Sequence, residues 1–315
     1  MDINNGTQVS EFILLGFSDD PKVQIGLFST FTVTYMITVI GNLLLVILTW
    51  YDAALTTPMY VFLCNLSLMD LCFSTVTVPK MLSNFLAKKK SISFVGCFVQ
   101  LYFFHFIGSA ECFLLTIMSF DRYVAICCPL RYMQVMSRHV CFCLASASWI
   151  SGFLFSFGHT SMTVTLSYCG PNQVNHFFCD IPPLLQLSCS DVHSTTLEIF
   201  IFGGMVAGGS FLLTLTSYIC IITAILKIKS ASGRQKTFST CAAHLIVVSI
   251  FFSTILFMYL RPKSSYSMDQ DKVLSVLYNV LTPLLNPMIY SFRNNEVKVA
   301  LKKCIRIGLL HKYPR

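Results

Sequence analysis

Polar and apolar positions along this chain segregate over whole segments, not single helical turns. Seven mainly apolar runs, at about 25–49, 58–79, 93–120, 140–160, 197–226, 237–260 and 273–292, are separated by polar connections. Crossing a bilayer takes roughly 20 such residues as a helix. A barrel strand would alternate over about ten residues; these runs are continuously apolar, so helices are expected. The pattern predicts an all-α membrane protein, a seven-transmembrane helix bundle over 25–292 whose third helix continues to 127. Residues 1–24 form the N-terminal segment, and 293–315 a short interfacial eighth helix and tail. In that last piece Val297, Ala300, Leu301, Cys304 and Ile305 recur at helical spacing, with Lys298, Lys302, Lys303 and Arg306 mostly off the stripe, as suits an inner-leaflet surface.

Composition strengthens this reading. The chain has 315 residues, 55% hydrophobic and 11% charged, against about 25% charged in a soluble domain. An odd number of spans puts the termini on opposite faces. With the C-terminus inside, the inner segments carry the larger share of Lys and Arg, among them Arg122, Arg131, Arg138, Lys227, Lys229, Arg234 and Lys236, which places the N-terminus outside. Lys88, Lys89 and Lys90 run against that bias. The net charge of +8 suits anionic lipid or an acidic protein partner and gives no reason to invoke nucleic acid. Residues 1–24 have no basic start or early apolar core, so the first helix is expected to act as its own insertion signal. Asn5-Gly6-Thr7 is an N-glycosylation acceptor.

The charges inside the apolar runs are few. Asp70 and Glu111 fall mid-span, and Glu198 opens the fifth run, where an acid suits the helix dipole. Two carboxylates at hydrocarbon depth need protons, a cation or polar partners. Two readings stay open: a hydrogen-bonded pair with one member protonated, or a small cation site, Na⁺ by preference, with Asn42 and Asn286 nearby. Gly41-Asn42 reads as a close-packing residue beside an amide that bonds neighbouring backbone. Pro287 should kink the seventh helix, with Asn286 able to satisfy the freed carbonyl. Most of the 14 cysteines lie in helices or at their inner ends, and Cys304 is a candidate for palmitoylation. Cys97, Cys169, Cys179 and Cys189 lie outside, where two bridges are expected in one of three connectivities. The connection from about 161 to 196 holds three of them and is expected to fold over the helix mouths as a lid. No nucleophile–base pair, metal-spaced His/Cys cluster or phosphate loop is present, so no enzyme is expected.

Asp121-Arg122-Tyr123 ends the third run, and Asn286-Pro287-Met288-Ile289-Tyr290 the seventh. Together these resemble rhodopsin-like G-protein-coupled receptors. Gly41-Asn42, Leu55 to Tyr60, Met118 to Cys127, Ser217-Tyr218 with Lys236 to His244, and Pro283 to Asn294 together resemble the odorant receptors among them, over nearly the whole chain. Thr56, Ser119, Phe120, Thr237 and Ala243 are variants within those signatures, and the family's aromatic-Tyr-Gly element in helix six reads Phe251-Phe252-Ser253.

The resemblance implies a plasma-membrane receptor of olfactory cilia that binds a small volatile odorant and activates a heterotrimeric, adenylyl-cyclase-stimulating G protein. It implies bridges Cys97–Cys179 and Cys169–Cys189. It places the ligand between helices three, five, six and seven, against Phe104, His105, Gly108, Ser109, Cys112, Phe202, Gly203, Val206, Phe252, Ile255, Tyr259 and Tyr278. The helix-three members share one side of their helix, and most of the set is apolar, the makeup of a small-molecule cavity. Phe104 stands where amine receptors of the superfamily carry an Asp, so a neutral ligand is expected. Asp121, Arg122, Tyr123, Tyr218, Lys236, Asn286, Pro287 and Tyr290 are the implied activation residues, with Arg122 held by Asp121 at rest and Lys229, Arg234 and Lys236 lining the inner face. A receptor for a non-odorant small molecule or a peptide is the alternative; a transporter or channel would predict paired broken helices or inverted repeats, which the sequence lacks.

Overall fold

The computed structural model describes residues 9–52, 55–259, 268–293 and 295–312. Asn5, the expected glycosylation site, lies outside them. Seven helices among the described residues are long and apolar enough to cross a membrane. They are α1 (Pro21–Tyr51), α2 (Pro58–Leu86), α3 (Phe94–Cys127), α4 (Arg138–Val164), α5 (His193–Leu226), α6 (Ala231–Tyr259) and α7. The last is built of Met268–Val276, a π-turn at Leu277–Leu281, and Thr282–Arg293. A further helix, α8 (Asn295–Lys312), follows.

The helix starts are written locally. Pro21 and Pro58 occupy first-turn positions where a missing N–H costs nothing. Asp20 accepts from the Lys22 N–H at 2.8 Å, and Ser93 from the Gly96 N–H at 3.0 Å. α2 and α6 outrun the sequence pattern furthest at one end. α2 passes through Pro79 to Leu86, because one proline removes only one backbone bond from an otherwise packed helix. α6 begins at Ala231, so Arg234 and Lys236 stand on a helix rather than in a loop.

α2, α3 and α6 form the centre: over half of each apolar window is buried, against 28% for α1, α4 and α5. Val33, Ile40 and Ile47 on α1, Ile150, Leu154 and Phe157 on α4, and Leu212, Leu213 and Ile219 on α5 are exposed. In water such surfaces would be costly; against lipid tails they are matched. On α8, Val297 and Ala300 are buried against the bundle core and Cys304 is exposed. Tyr60 donates to Glu296 at 2.5 Å and Lys303 pairs with Asp52 at 3.5 Å, which fastens α8 to the inner ends of α1 and α2.

The helical pattern gave no hint of strands, yet the outer face carries a small sheet. β1 (Glu11–Leu14) lies between β2 (Ser91–Ser93), antiparallel, and β3 (Gln173–Val174), parallel. Phe12 and Leu14 are fully buried in an outer cluster with Phe98, Leu101, Tyr168 and Leu184. This sheet accounts for two lysines that opposed the charge bias. Lys89 pairs with Glu11, and Lys90 with Asp19 at 2.8 Å. The acids of the N-terminal segment thus offset that outer charge.

Candidate functional site

The Cys97–Cys179 bridge, with Cα atoms 5.5 Å apart, ties the outer end of α3 to the long outer connection. Cys169–Cys189, at 6.0 Å, closes that connection on itself. Gln100 clamps the same place: its side chain accepts from the Cys179 N–H at 3.0 Å and donates to the Val76 carbonyl at 2.9 Å. Asp180 then starts a short helix, Ile181–Gln186, by accepting from the Ile181 N–H at 2.8 Å. It also lies 3.2 Å from His105 Nε2. The lid is therefore anchored to α3 by a covalent bond, an amide and a carboxylate–imidazole contact. Its other edge meets α7, where His176 lies 3.3 Å from the Ser275 hydroxyl and Lys272 donates to Asn175 at 2.7 Å. Burial, opposed by Asp180 and aided by Lys272, pushes the His176 imidazole down to about 4, so it is neutral at pH 7.

Beneath this lid is a cavity of about 490 Å³. Phe104, His105, Gly108, Ser109, Cys112, Gly203, Val206, Ile255 and Tyr278 all line it. Gly108 gives the Tyr278 side chain its place: a Cβ would come within 2.5 Å of the Tyr278 hydroxyl and displace it. Gly203 and Gly204 face open space and leave room.

Two expected members of the lining lie elsewhere. Phe202 is half exposed on the outer surface of α5. The cavity stripe of that helix runs through Thr196, Ile199, Phe200, Gly203, Gly204, Val206 and Ala207, and position 202 falls to one side of it. Phe252 is buried and packs on Phe211 and Phe251 with centroids 5.8 and 5.4 Å away, a turn deeper than Ile255. The Tyr259 side chain lies outside the described part.

The wall also includes residues the sequence reading missed: Phe155 and His159 of α4, and Ile181, Pro182, Leu185 and Gln186 of the lid helix. His159 was the detectable one, as the only histidine in the 140–160 run.

Below the cavity the interior is polar. Asp70 is fully buried, and the Asn286 amide donates to both its oxygens at 3.1 and 3.0 Å. Asn286 is therefore not the group that answers Pro287. Proline leaves the Pro283 carbonyl without its helical donor, and Asn42 of α1 supplies one at 3.0 Å while also donating to Thr38. Gly41 lets the helices meet there, since its Cβ would sit 3.3 Å from Pro287. The irregular turn of α7 lies upstream, in the π-turn, with Tyr278 and Asn279 buried on it. Glu111 Oε1, Asn42 Oδ1, both polar atoms of Asn279 and the Tyr290 hydroxyl are buried without a hydrogen-bond partner among the described residues.

At the inner end Arg122 lies 3.1 Å from Asp121, and Tyr132 donates to the same carboxylate at 2.9 Å. Burial first, and then the Asp121 charge, raise the Tyr132 hydroxyl above the usual phenol range, so it remains a donor. Tyr218 of α5 shares a hydrogen bond of 2.7 Å with His244 of α6. Tyr123 stacks beside Phe120 at 6.1 Å, and Lys229, Arg234 and Lys236 are exposed on the same face.

These features have counterparts among known proteins. The fold is similar to that of squid rhodopsin, with a TM-score of 0.69 at 21% identity over 93% of this chain and 88% of that one. Mouse olfactory receptor 5AP2 is 53% identical over 309 residues, spanning 98% of this chain and 96% of the relative. The human olfactory receptor 5AP2 is 51% identical over 301 residues, 96% and 95% respectively. The olfactory receptor family model matches residues 31–307. With seven apolar helices and a lidded cavity among five of them, the chain is a multi-pass plasma-membrane receptor rather than an enzyme, and it belongs to the olfactory receptor family.

Proposed function

We propose that the cavity binds a small, neutral, mainly apolar volatile molecule and that binding drives activation of a stimulatory, adenylyl-cyclase-coupled heterotrimeric G protein. The observation that carries the reading is the lidded space of about 490 Å³, lined mostly by apolar side chains with a few polar groups. Phe104 in its wall offers no charge for an ammonium group. Few ligand atoms and no ion pair mean modest affinity.

The mechanism is a population shift. A ligand biases the receptor only by its differential affinity for two states, and taking a 1:99 mixture to 99:1 requires about 5.5 kcal/mol of it. The resting state is held at its inner end by Asp121–Arg122, Asp121–Tyr132 and Tyr218–His244. An outward swing of α6 would separate the last pair, free Tyr218 for Arg122, and open the basic face of Lys229, Arg234 and Lys236 to the G protein. The test is cAMP production in transfected cells across an odorant panel, with Arg122→Ala as control. Ligand-evoked ion flux that survives Arg122→Ala, with no cAMP response, overturns the receptor mechanism.

The buried oxygens of Asp70, Glu111, Asn42 and Asn286 suit a hard cation such as Na⁺, and the unpartnered Glu111 Oε1 and Asn42 Oδ1 support that fit. Such an ion would neutralise paired carboxylates in the resting bundle. Thermal stability should then be higher in Na⁺ than in N-methylglucamine, and Asp70→Asn should abolish the difference. Equal stability in both salts assigns the pair to a shared proton instead.

A further inference from the structure

The structure brings α4 to the cavity, which the four-helix site expected from sequence leaves out. His159 lines the space and is 5% exposed, and its Nδ1 is buried with no hydrogen-bond partner among the described residues. Burying an imidazole is costly unless its polar atoms find partners, and the edge of the ring that lines the space is where an entering molecule can meet it. Its position is firmly set. Gly152 presses on the α3 backbone, since a Cβ there would meet the Phe106 carbonyl at 2.6 Å and the Ala110 nitrogen at 2.7 Å. Ser156 donates to the Tyr102 carbonyl at 2.6 Å, and Phe155 packs edge-on against the His159 ring at 4.3 Å.

His105 lines the same space from α3, with Ser109 one turn further along that helix. The lining from α6 and α7, Ile255, Met258 and Tyr278, is apolar apart from the Tyr278 hydroxyl. The space is therefore two-sided, polar between α3 and α4 and apolar toward α6 and α7.

Resting on the odorant-cavity reading, we propose that His159, with His105 and Ser109, forms the polar anchor of the site. The anchor selects a neutral molecule with one oxygen function, a hydroxyl or carbonyl, at the end of an apolar body. Imidazole and hydroxyl groups can both give and take a hydrogen bond, so they suit either oxygen. An anionic head is disfavoured because Asp180, a buried carboxylate, sits 3.2 Å from His105. With the oxygen held at the α3–α4 wall, the apolar body extends toward α6 and α7.

The experiment compares probes of matched chain length, six to ten carbons, as n-alkanols, n-alkanals, n-alkanes and n-alkanoates, by cAMP dose–response. Cell-surface labelling confirms equal display of the wild-type, His159→Phe, His159→Gln and Ser109→Ala receptors. The expected result is a rank order of alkanol or alkanal above alkane above alkanoate. His159→Phe should raise the half-maximal dose of the oxygenated probes about tenfold and leave the alkane dose unchanged. His159→Gln should restore most of the loss, and Ser109→Ala should give a smaller shift of the same kind, so the anchor is still tested if His159→Phe fails to reach the surface. Equal potency of alkane and alkanol, an alkanoate preference, or a His159→Phe shift that is the same for every head group overturns the anchor and leaves the odorant cavity standing. Silence toward all four head groups at every length overturns both.

Discussion

The two ends of the bundle are held together by different chemistry. The outer end has two disulfides, a three-stranded sheet threaded by the N-terminal segment, and a second apolar cluster containing Phe12 and Leu14. The inner end has no covalent link between the described helices beyond the chain itself. There Tyr218–His244 joins α5 to α6, while Asp121, beside Arg122 on α3, holds Tyr132 of the connection that follows. Each such contact contributes on the order of 1 kcal/mol net, whereas removing a native disulfide costs about 2–5 kcal/mol. An outer end that keeps its shape around a ligand and an inner end within reach of thermal rearrangement suit a receptor whose signal is a change at the inside.

The strongest way to break this contrast is Cys97→Ala, which severs the tie between α3 and the lid. It should cost about 2–5 kcal/mol and abolish surface display by flow cytometry. Normal display with an unaltered odorant response would show that the outer end does not need its covalent clamp.

Acid should act next, and on the outer end. His176 is buried neutral, with its titration pushed down to about 4 from 6.5. Between those values it binds fewer protons than it would in the unfolded chain, so stability falls as pH drops from about 6.5 toward 4. The full loss is about 3 kcal/mol. His176→Asn should flatten the thermal-stability profile over that window; a profile identical to wild type contradicts the assignment.

A smaller effect is expected at the inner end. Tyr132→Phe removes one donor to Asp121, about 1 kcal/mol, and should raise basal cAMP about fivefold without changing surface display. Unchanged basal signalling would show that this bond does not hold the resting state.

The least effect is expected from Glu11→Gln. Its carboxyl is held below the usual range chiefly by the hydrogen bond from Lys89, but the pair is open to solvent, and surface pairs contribute little. Any contribution is present at neutral pH and is lost as pH falls through the depressed value. Melting temperature at pH 7 should not move, and a clear drop would make the surface pair part of the clamp.

The two ends also differed in how legible they were. The seven spans, the charge bias and the Asp121–Arg122 pair are local or compositional features, so the sequence displays them openly. β1 has four residues and takes its meaning only from partners 80 and 160 positions away, which no local periodicity reports. Within the cavity, the α3 residues shared a visible face. Phe202 did not reveal its outward direction, because in lipid both faces of a helix are apolar. His159 was overlooked for a related reason: one polar residue in an apolar run does not say what it points toward. Asn42 and Asn286 were recognised as amides in need of partners, yet which would serve Pro283 and which Asp70 depended on the closeness that Gly41 permits.

The Asn42–Pro283 bond has a consequence for how the protein is made. Its two ends are 241 residues apart, so α1 enters the membrane with an amide whose partner has not been synthesised. At about 5–20 residues per second, the wait is roughly 10–50 s. During that interval the amide has only the Thr38 carbonyl of its own helix to bond. Arrival of the seventh helix supplies the second acceptor, so the contact between α1 and α7 is among the last the chain can make.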